Sequence, residues 1–139
     1  MKFTNHIIIN ATIGGIICFI INRFLFFENL LIVVASGVLI DIDHVFVEIF
    51  KGTLRHPRKV IEYWKSIPNK HTGELYIFHS YEFMFAILVL GLQNKFFLIV
   101  LIGLILHFLA DGLINYLDTK SFSWLRDYSI IFKIYDHWN

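Results

Sequence analysis

The sequence predicts an all-α integral-membrane protein, a four-helix bundle in one domain spanning residues 1–139, with both termini in the cytoplasm. Three observations carry this. The 139 residues are 57% apolar and only 17% charged, against about 45–50% and about 25% in soluble domains. The apolar residues collect into four runs, 7–27, 30–50, 75–92 and 96–117, each long enough at about 1.5 Å per residue to approach the roughly 30 Å of a bilayer core. The basic residues gather on one side of those runs. The same composition excludes disorder, which needs few apolar residues and high net charge. A net charge of +1 gives no global field for nucleic acid.

The first run follows Met1-Lys2. It resembles a signal peptide only superficially, because it passes through Asn10, Asn22 and Arg23 into Phe24–Phe27 with no small-residue cleavage pattern. It is therefore read as a helix of the mature chain. The second, third and fourth runs contain Leu31–Val34, Phe85–Leu90 and Phe96–Leu106, and the first contains Phe19–Ile21. All of these segments are apolar on every helical face. A soluble bundle helix keeps a wet side, so such helices face lipid or lie deeply buried. Asn10 and Asn115 are placed to hold helices together, and Gly14-Gly15 and Gly103 permit close helix approach within or between chains. Oligomeric state is left open.

Orientation follows from the twelve basic residues. Lys2, the six residues Lys51, Arg55, Arg58, Lys59, Lys65 and Lys70, and the three in the tail, Lys120, Arg126 and Lys133, lie on one side; Arg23 and Lys95 lie on the other. The positive-inside rule makes the richer side cytoplasmic. The basic loop of residues 51–70 then attracts anionic headgroups rather than nucleic acid. Val60, Ile61, Trp64 and Ile67 recur at helical spacing between Pro57 and Pro68, which predicts a short interfacial helix. Trp124, Tyr128, Phe132, Tyr135 and Trp138 make the tail interfacial as well.

The chemistry lies in polar residues inside apolar runs, where an Asp costs about 2.5–3.5 kcal/mol at a helix centre on insertion scales. They are His6 in the first run, Asp41, Asp43, His44 and Glu48 in the second, His79 and Glu82 in the third, and His107 and Asp111 in the fourth. No Lys or Arg is among them. Carboxylates without basic partners repel or take up protons, whereas a divalent cation neutralises several at once. Cys18, the one cysteine, can form neither an intrachain disulfide nor a Cys-rich zinc site, so His and carboxylates must supply the ligands. The topology sets all four groups in the inner half of the membrane. His107 and Asp111 share a helix face, as do His79 and Glu82, and Asp41 and His44. Asp43 projects about 100° from His44 on an ideal helix. It reaches the common site only if the second helix turns irregular there, or it acts beside the metal.

His6, Asp41-Ile42-Asp43-His44, His79-Ser80 and His107 to Asp111 together resemble the small integral-membrane metal-dependent hydrolases that include the LexA-regulated inner-membrane proteins. Order and spacing match over nearly the whole chain. One element departs: where the family often carries His-Arg-Gly just before the His-Ser, His71-Thr72-Gly73 lies further upstream. The resemblance implies the cytoplasmic membrane of a bacterium or archaeon and a distant relation to zinc-dependent phospholipases. It also implies a helical His/Asp site with more than one zinc that cleaves a phosphoester.

The expectation is thus a hydrolase in which His6, Asp41, Asp43, His44, His79, His107 and Asp111 hold one or more Zn²⁺ ions, with Asp43 or Glu82 as proton acceptor. Arg55 or Arg126 would meet a phosphate oxygen, and Trp124 would anchor the tail. The substrate is a small molecule or lipid taken from the inner headgroup region. Three other readings of the same residues stand beside it. They are a di-iron or di-manganese carboxylate bundle, a proton or ion relay, and a non-catalytic membrane protein whose polar groups join helices.

Overall fold

The computed structural model describes residues 3–21, 23–52, 58–59, 76–122 and 124–138. Among them every regular element is helical and there is no strand. The helices are α1 (Phe3–Ile21), α2 (Phe26–Leu39), α3 (Ile42–Phe50), α4 (Tyr81–Gln93), α5 (Lys95–Thr119), α6 (Trp124–Asp127) and α7 (Ile130–Trp138). Most of the basic loop, including Arg55, Trp64 and His71, lies outside the described residues, and with it the predicted interfacial helix.

Each boundary has a local cause. Within the first run α1 ends at Ile21, and a short 3-10 turn, Arg23–Leu25, leads into α2, which begins four residues earlier than the pattern suggests. α4 starts later than expected, at Tyr81, because Ser80 takes an extended conformation and its hydroxyl accepts from the Phe83 N–H at 3.1 Å. Asn94 caps α5 in the same way, accepting from the Phe96 N–H. α5 closes at Lys120, in the left-handed region at φ 54°.

α5 is the central element and packs against α1, α2 and α4, while α1 also packs on α2. Leu106 of α5 joins Cys18 and Val33 in one buried cluster, and Leu104 and Phe108 join Ile40, Ile87 and Tyr128 in another. His107 sits between these clusters, wholly buried. The α2–α5 contact is close because Gly103 faces Ser36 Oγ and the Val33 carbonyl oxygen, leaving no room for a Cβ. Gly37 does the same for α1: a Cβ there would meet the side chain of Asn10, itself wholly buried.

The outside is as apolar as the inside. Two stretches, Phe26–Phe50 and Lys95–Thr119, are long and apolar enough to cross a membrane; the apolar parts of α1 and α4 are shorter. Phe24, Phe27 and Phe50 are 87%, 82% and 87% exposed, and Ile20, Leu31, Leu92 and Leu109 are exposed too. A soluble monomer rarely leaves so much contiguous apolar surface in water.

The close α2–α5 contact can be tested. Gly103→Ala drives a methyl into a backbone oxygen and is expected to cost about 1–3 kcal/mol. Gly15→Ala, whose Cβ meets only Leu30 Cδ1 at 3.7 Å, should be neutral or stabilise by up to about 1 kcal/mol. Thermal unfolding in detergent separates the two, and equal melting points would contradict the packing.

Candidate metal centre

Between Leu39 and Ile42 the second run is not a continuous α-helix. The Asp41 N–H bonds to the Val38 carbonyl and the His44 N–H to the Asp41 carbonyl, three-residue steps that tighten the backbone and turn the next residues to a new azimuth. Neither Pro nor Gly stands at Ile40 or Asp41. The break brings Asp41, Asp43 and His44 to one place, all three buried. This is the irregularity that Asp43 requires in order to face the same centre as Asp41.

His79 arrives from another direction. It lies in the turn before α4, not on the helix, so it does not share a helical face with Glu82. The Phe78 N–H donates to Asp43 Oδ2 at 3.0 Å, and His79 Nδ1 lies 3.1 Å from both Asp43 oxygens. α5 supplies His107, whose Nδ1 lies 2.6 Å from the Gly37 carbonyl oxygen.

The acceptors facing the two Nδ1 atoms assign the tautomers. A carbonyl oxygen only accepts, so His107 Nδ1 carries the proton; a carboxylate likewise makes His79 Nδ1 the donor. In the neutral rings both Nε2 atoms then present lone pairs, and they face each other at 3.1 Å. Asp41 Oδ1 is 3.4 Å from His79 Nε2 and 3.5 Å from His107 Nε2, and Asp111 Oδ2 is 3.2 Å from His107 Nε2. Three electron-pair donors, from Asp41, His79 and His107, therefore converge from three segments of the chain, with Asp111 beside His107. A tetrahedral ion with ligands about 2.0–2.2 Å away holds any two of them roughly 3.3–3.6 Å apart, close to the 3.1, 3.4 and 3.5 Å among Asp41, His79 and His107. Buried Asp41, His79 and His107 can hold a metal ion. The Nδ1 contacts to Asp43 and Gly37 are the orienting hydrogen bonds that metal-bound imidazoles characteristically make.

Asp43, His44 and His79 form a second buried group of possible ligands, sharing His79 with the first. With Nδ1 of His79 directed at Asp43 and Nε2 at His107 and Asp41, the ring joins the two groups. The His44 ring lies tilted against Tyr76 at 4.0 Å and edge-on to His79 at 4.6 Å.

Other sequence-predicted residues go elsewhere. Glu82 is not in the cluster: its carboxylate accepts from Ser129 Oγ at 2.7 Å and from the Ile130 and Ile131 N–H groups, capping α7 from a neighbouring helix. Its spacing from His79 carries no information once His79 lies outside the helix. Glu48 pairs with Lys51 at 3.4 Å. The Arg126 guanidinium lies over the Phe132 ring. His6 falls in α1, and its side chain, like that of Trp124, lies outside the described residues. Gly37, whose carbonyl orients His107, has no sequence signal beyond being a glycine in an apolar run.

Comparisons with family models, with curated proteins and with solved structures give no match. The centre is therefore understood from its own atoms.

Asp43 and Glu82 make opposite predictions. Asp43→Ala should weaken metal binding about 10–100-fold, read by competition with a chelator of known affinity, with helix content unchanged. Glu82→Gln should leave metal affinity alone and speed hydrogen exchange at Ile130 and Ile131, since hydrogen bonds to a charged acceptor contribute about 1.5–3 kcal/mol. Loss of metal in Glu82→Gln would mean that the tail and the centre are one unit.

Proposed function

We propose that the chain is a membrane-embedded, metal-dependent hydrolase of the kind its motifs resemble, with zinc as its metal and a phosphoester, carried by a lipid-like molecule, as its substrate. One observation carries this reading: two buried imidazole Nε2 atoms face each other at 3.1 Å while both Nδ1 atoms are committed to acceptors, with carboxylates completing the set. A shared proton pairs two of these donors and leaves the carboxylates opposed; a divalent cation satisfies all of them.

Asp41, His79, His107 and Asp111 hold the ion in this scheme. Asp43 and the Gly37 carbonyl orient the two rings, so Asp43 is a positioning residue and Glu82 has no part in the reaction. A zinc ion held there would supply Lewis acidity and lower the pKa of a bound water toward neutrality. His44 belongs to the second group of possible ligands, beside Asp43 and His79. Asp43 holds the His79 proton on Nδ1 throughout, keeping Nε2 free for the ion.

The exposed apolar belt supports a bilayer as solvent, and the asymmetry of Lys and Arg supports a four-helix, N-in and C-in arrangement in a cytoplasmic membrane. Anionic headgroups then neighbour the basic segment 51–70, and the centre lies in the inner half of the membrane. The histidine content of the set favours zinc over the glutamate-rich ligation of di-iron bundles.

Elemental analysis of detergent-purified protein should find stoichiometric zinc, lost in Asp41→Ala/His107→Ala. The metal-loaded protein should hydrolyse phosphodiester substrates, and His107→Ala should reduce the rate to background. Equal rates in the two proteins would remove the centre from catalysis.

A further inference from the structure

α2 and α4 both pack on α5 but barely touch each other. Between them lies a cleft of about 420 Å³, within the roughly 300–1,000 Å³ of ligand pockets. Ile32, Ala35 and Leu39 line one wall, Phe83 another, and Val100 and Leu104 the floor. Among the described residues the one polar side chain on its walls is Ser36, whose hydroxyl donates to the Val33 carbonyl at 3.1 Å. These walls have nothing left to pair with a sugar, an amine or a phosphate. The contents of the cleft must be hydrocarbon.

Sequence neighbours of the candidate metal ligands, though not the ligands themselves, stand on the wall of the cleft. Ile40 and Ile42, both on its wall, flank Asp41, and Phe78, also on the wall, precedes His79 and donates its N–H to Asp43. On α5, Phe96, Val100 and Leu104 line the cleft, and His107 and Asp111 continue the same stripe. At about 100° per residue these five positions fall within an arc of roughly 80°. Along this stripe of α5 the residues thus change from apolar to ligand-bearing within one helical turn. The polarity of this surface matches a molecule with one apolar tail and one anionic head.

We infer that the cleft is the tail site of the substrate: a single hydrocarbon chain of an amphiphile lies between α2 and α4, with its phosphoester head at the Asp41–His79–His107 centre. The inference rests on the metal-hydrolase reading for the identity of the head. Moving a chain from bilayer to cleft exchanges one hydrocarbon environment for another, so the tail selects and positions while the head supplies the affinity. Occupancy by bulk lipid would not depend on the head.

The test uses the full chain in phosphatidylcholine vesicles and an alkyl phosphate carrying a photoreactive diazirine in mid-chain. Adducts on Ala35, Phe83 and Val100 should exceed those on lipid-facing Ile20 and Leu31 by about tenfold or more, a difference of about 1.4 kcal/mol in occupancy. Excess unlabelled alkyl phosphate should suppress them, and the alkane of equal length should not. Ala35→Trp, which fills the cleft, should bring them down to the lipid-facing level with bound metal retained. The competition in the unmodified chain stands even if that variant fails to fold. Equal labelling inside and outside the cleft, or labelling that alkyl phosphate does not displace, overturns the inference. Competed labelling in protein without stoichiometric metal keeps the tail site and removes the hydrolase reading. Bound metal with uncompeted labelling does the reverse.

Discussion

The meeting of two histidine rings, Nε2 to Nε2 at 3.1 Å in a buried interior, is the constraint to which the rest of the backbone answers. Two lone pairs at that distance repel unless something positive lies between them, and each ring is held in place from behind. His107 is held by a carbonyl oxygen of α2, reachable only because Gly37 and Gly103 let α1, α2 and α5 approach to backbone distance. His79 is held by Asp43, which requires both the tightened turn at Ile40–Asp41 and the extended segment before α4. Each departure from regular helix in this region delivers one donor to the cluster. Regular helices alone would leave Asp43 on the wrong face and His79 on a face with Glu82.

The tail extends the same arrangement. Tyr128 is almost fully buried, its ring 4.9 Å from Phe108 and 6.3 Å from Tyr81, and its carbonyl accepts from the Tyr81 N–H. Phe108 follows His107 in sequence and lies 6.1 Å from the His79 ring. On the other side Lys133 sits over Tyr76, whose ring lies tilted against His44. The chain beyond α5 therefore folds back over the cluster, with Glu82 fastening the start of α7. Aromatic content alone marks the tail as interfacial; its exposed Ile131, Phe132, Ile134 and Tyr135 fit that expectation, while Tyr128 and Ser129 serve the interior.

Composition and short-range periodicity made part of this legible in the sequence. The helical character, the length of the fourth run and the pairing of His107 with Asp111 follow from apolar length and four-residue spacing, and the structure has all three. Convergence of Asp41, Asp43, His79 and His107 was legible as well, because buried carboxylates without Lys or Arg need a common partner. The break at Ile40–Asp41 was not, since Leu-Ile-Asp-Ile contains no helix breaker and the turn is imposed by packing. The start of α4 depends on Ser80 capping rather than on hydropathy, so the apolar run overstates the helix and misplaces His79. Glu82 shows the limit of spacing arguments: its partners lie nearly fifty residues away, and no local pattern identifies them.

The geometry also weighs between a metal centre and a proton relay built from the same residues. A relay needs each group to accept a proton on one side and release it on the other. His79 qualifies, with Asp43 behind it and His107 ahead. His107 does not, because its far nitrogen donates to the Gly37 carbonyl, an amide oxygen that takes no proton at ordinary pH and passes none on. A proton chain that leaves His107 through Nδ1 ends inside α2. The same hydrogen bond is an asset to a ligand, since it fixes the tautomer and makes Nε2 a better electron-pair donor. A wire and a coordination site ask opposite things of Nδ1, and at His107 the contact is the one a coordination site needs.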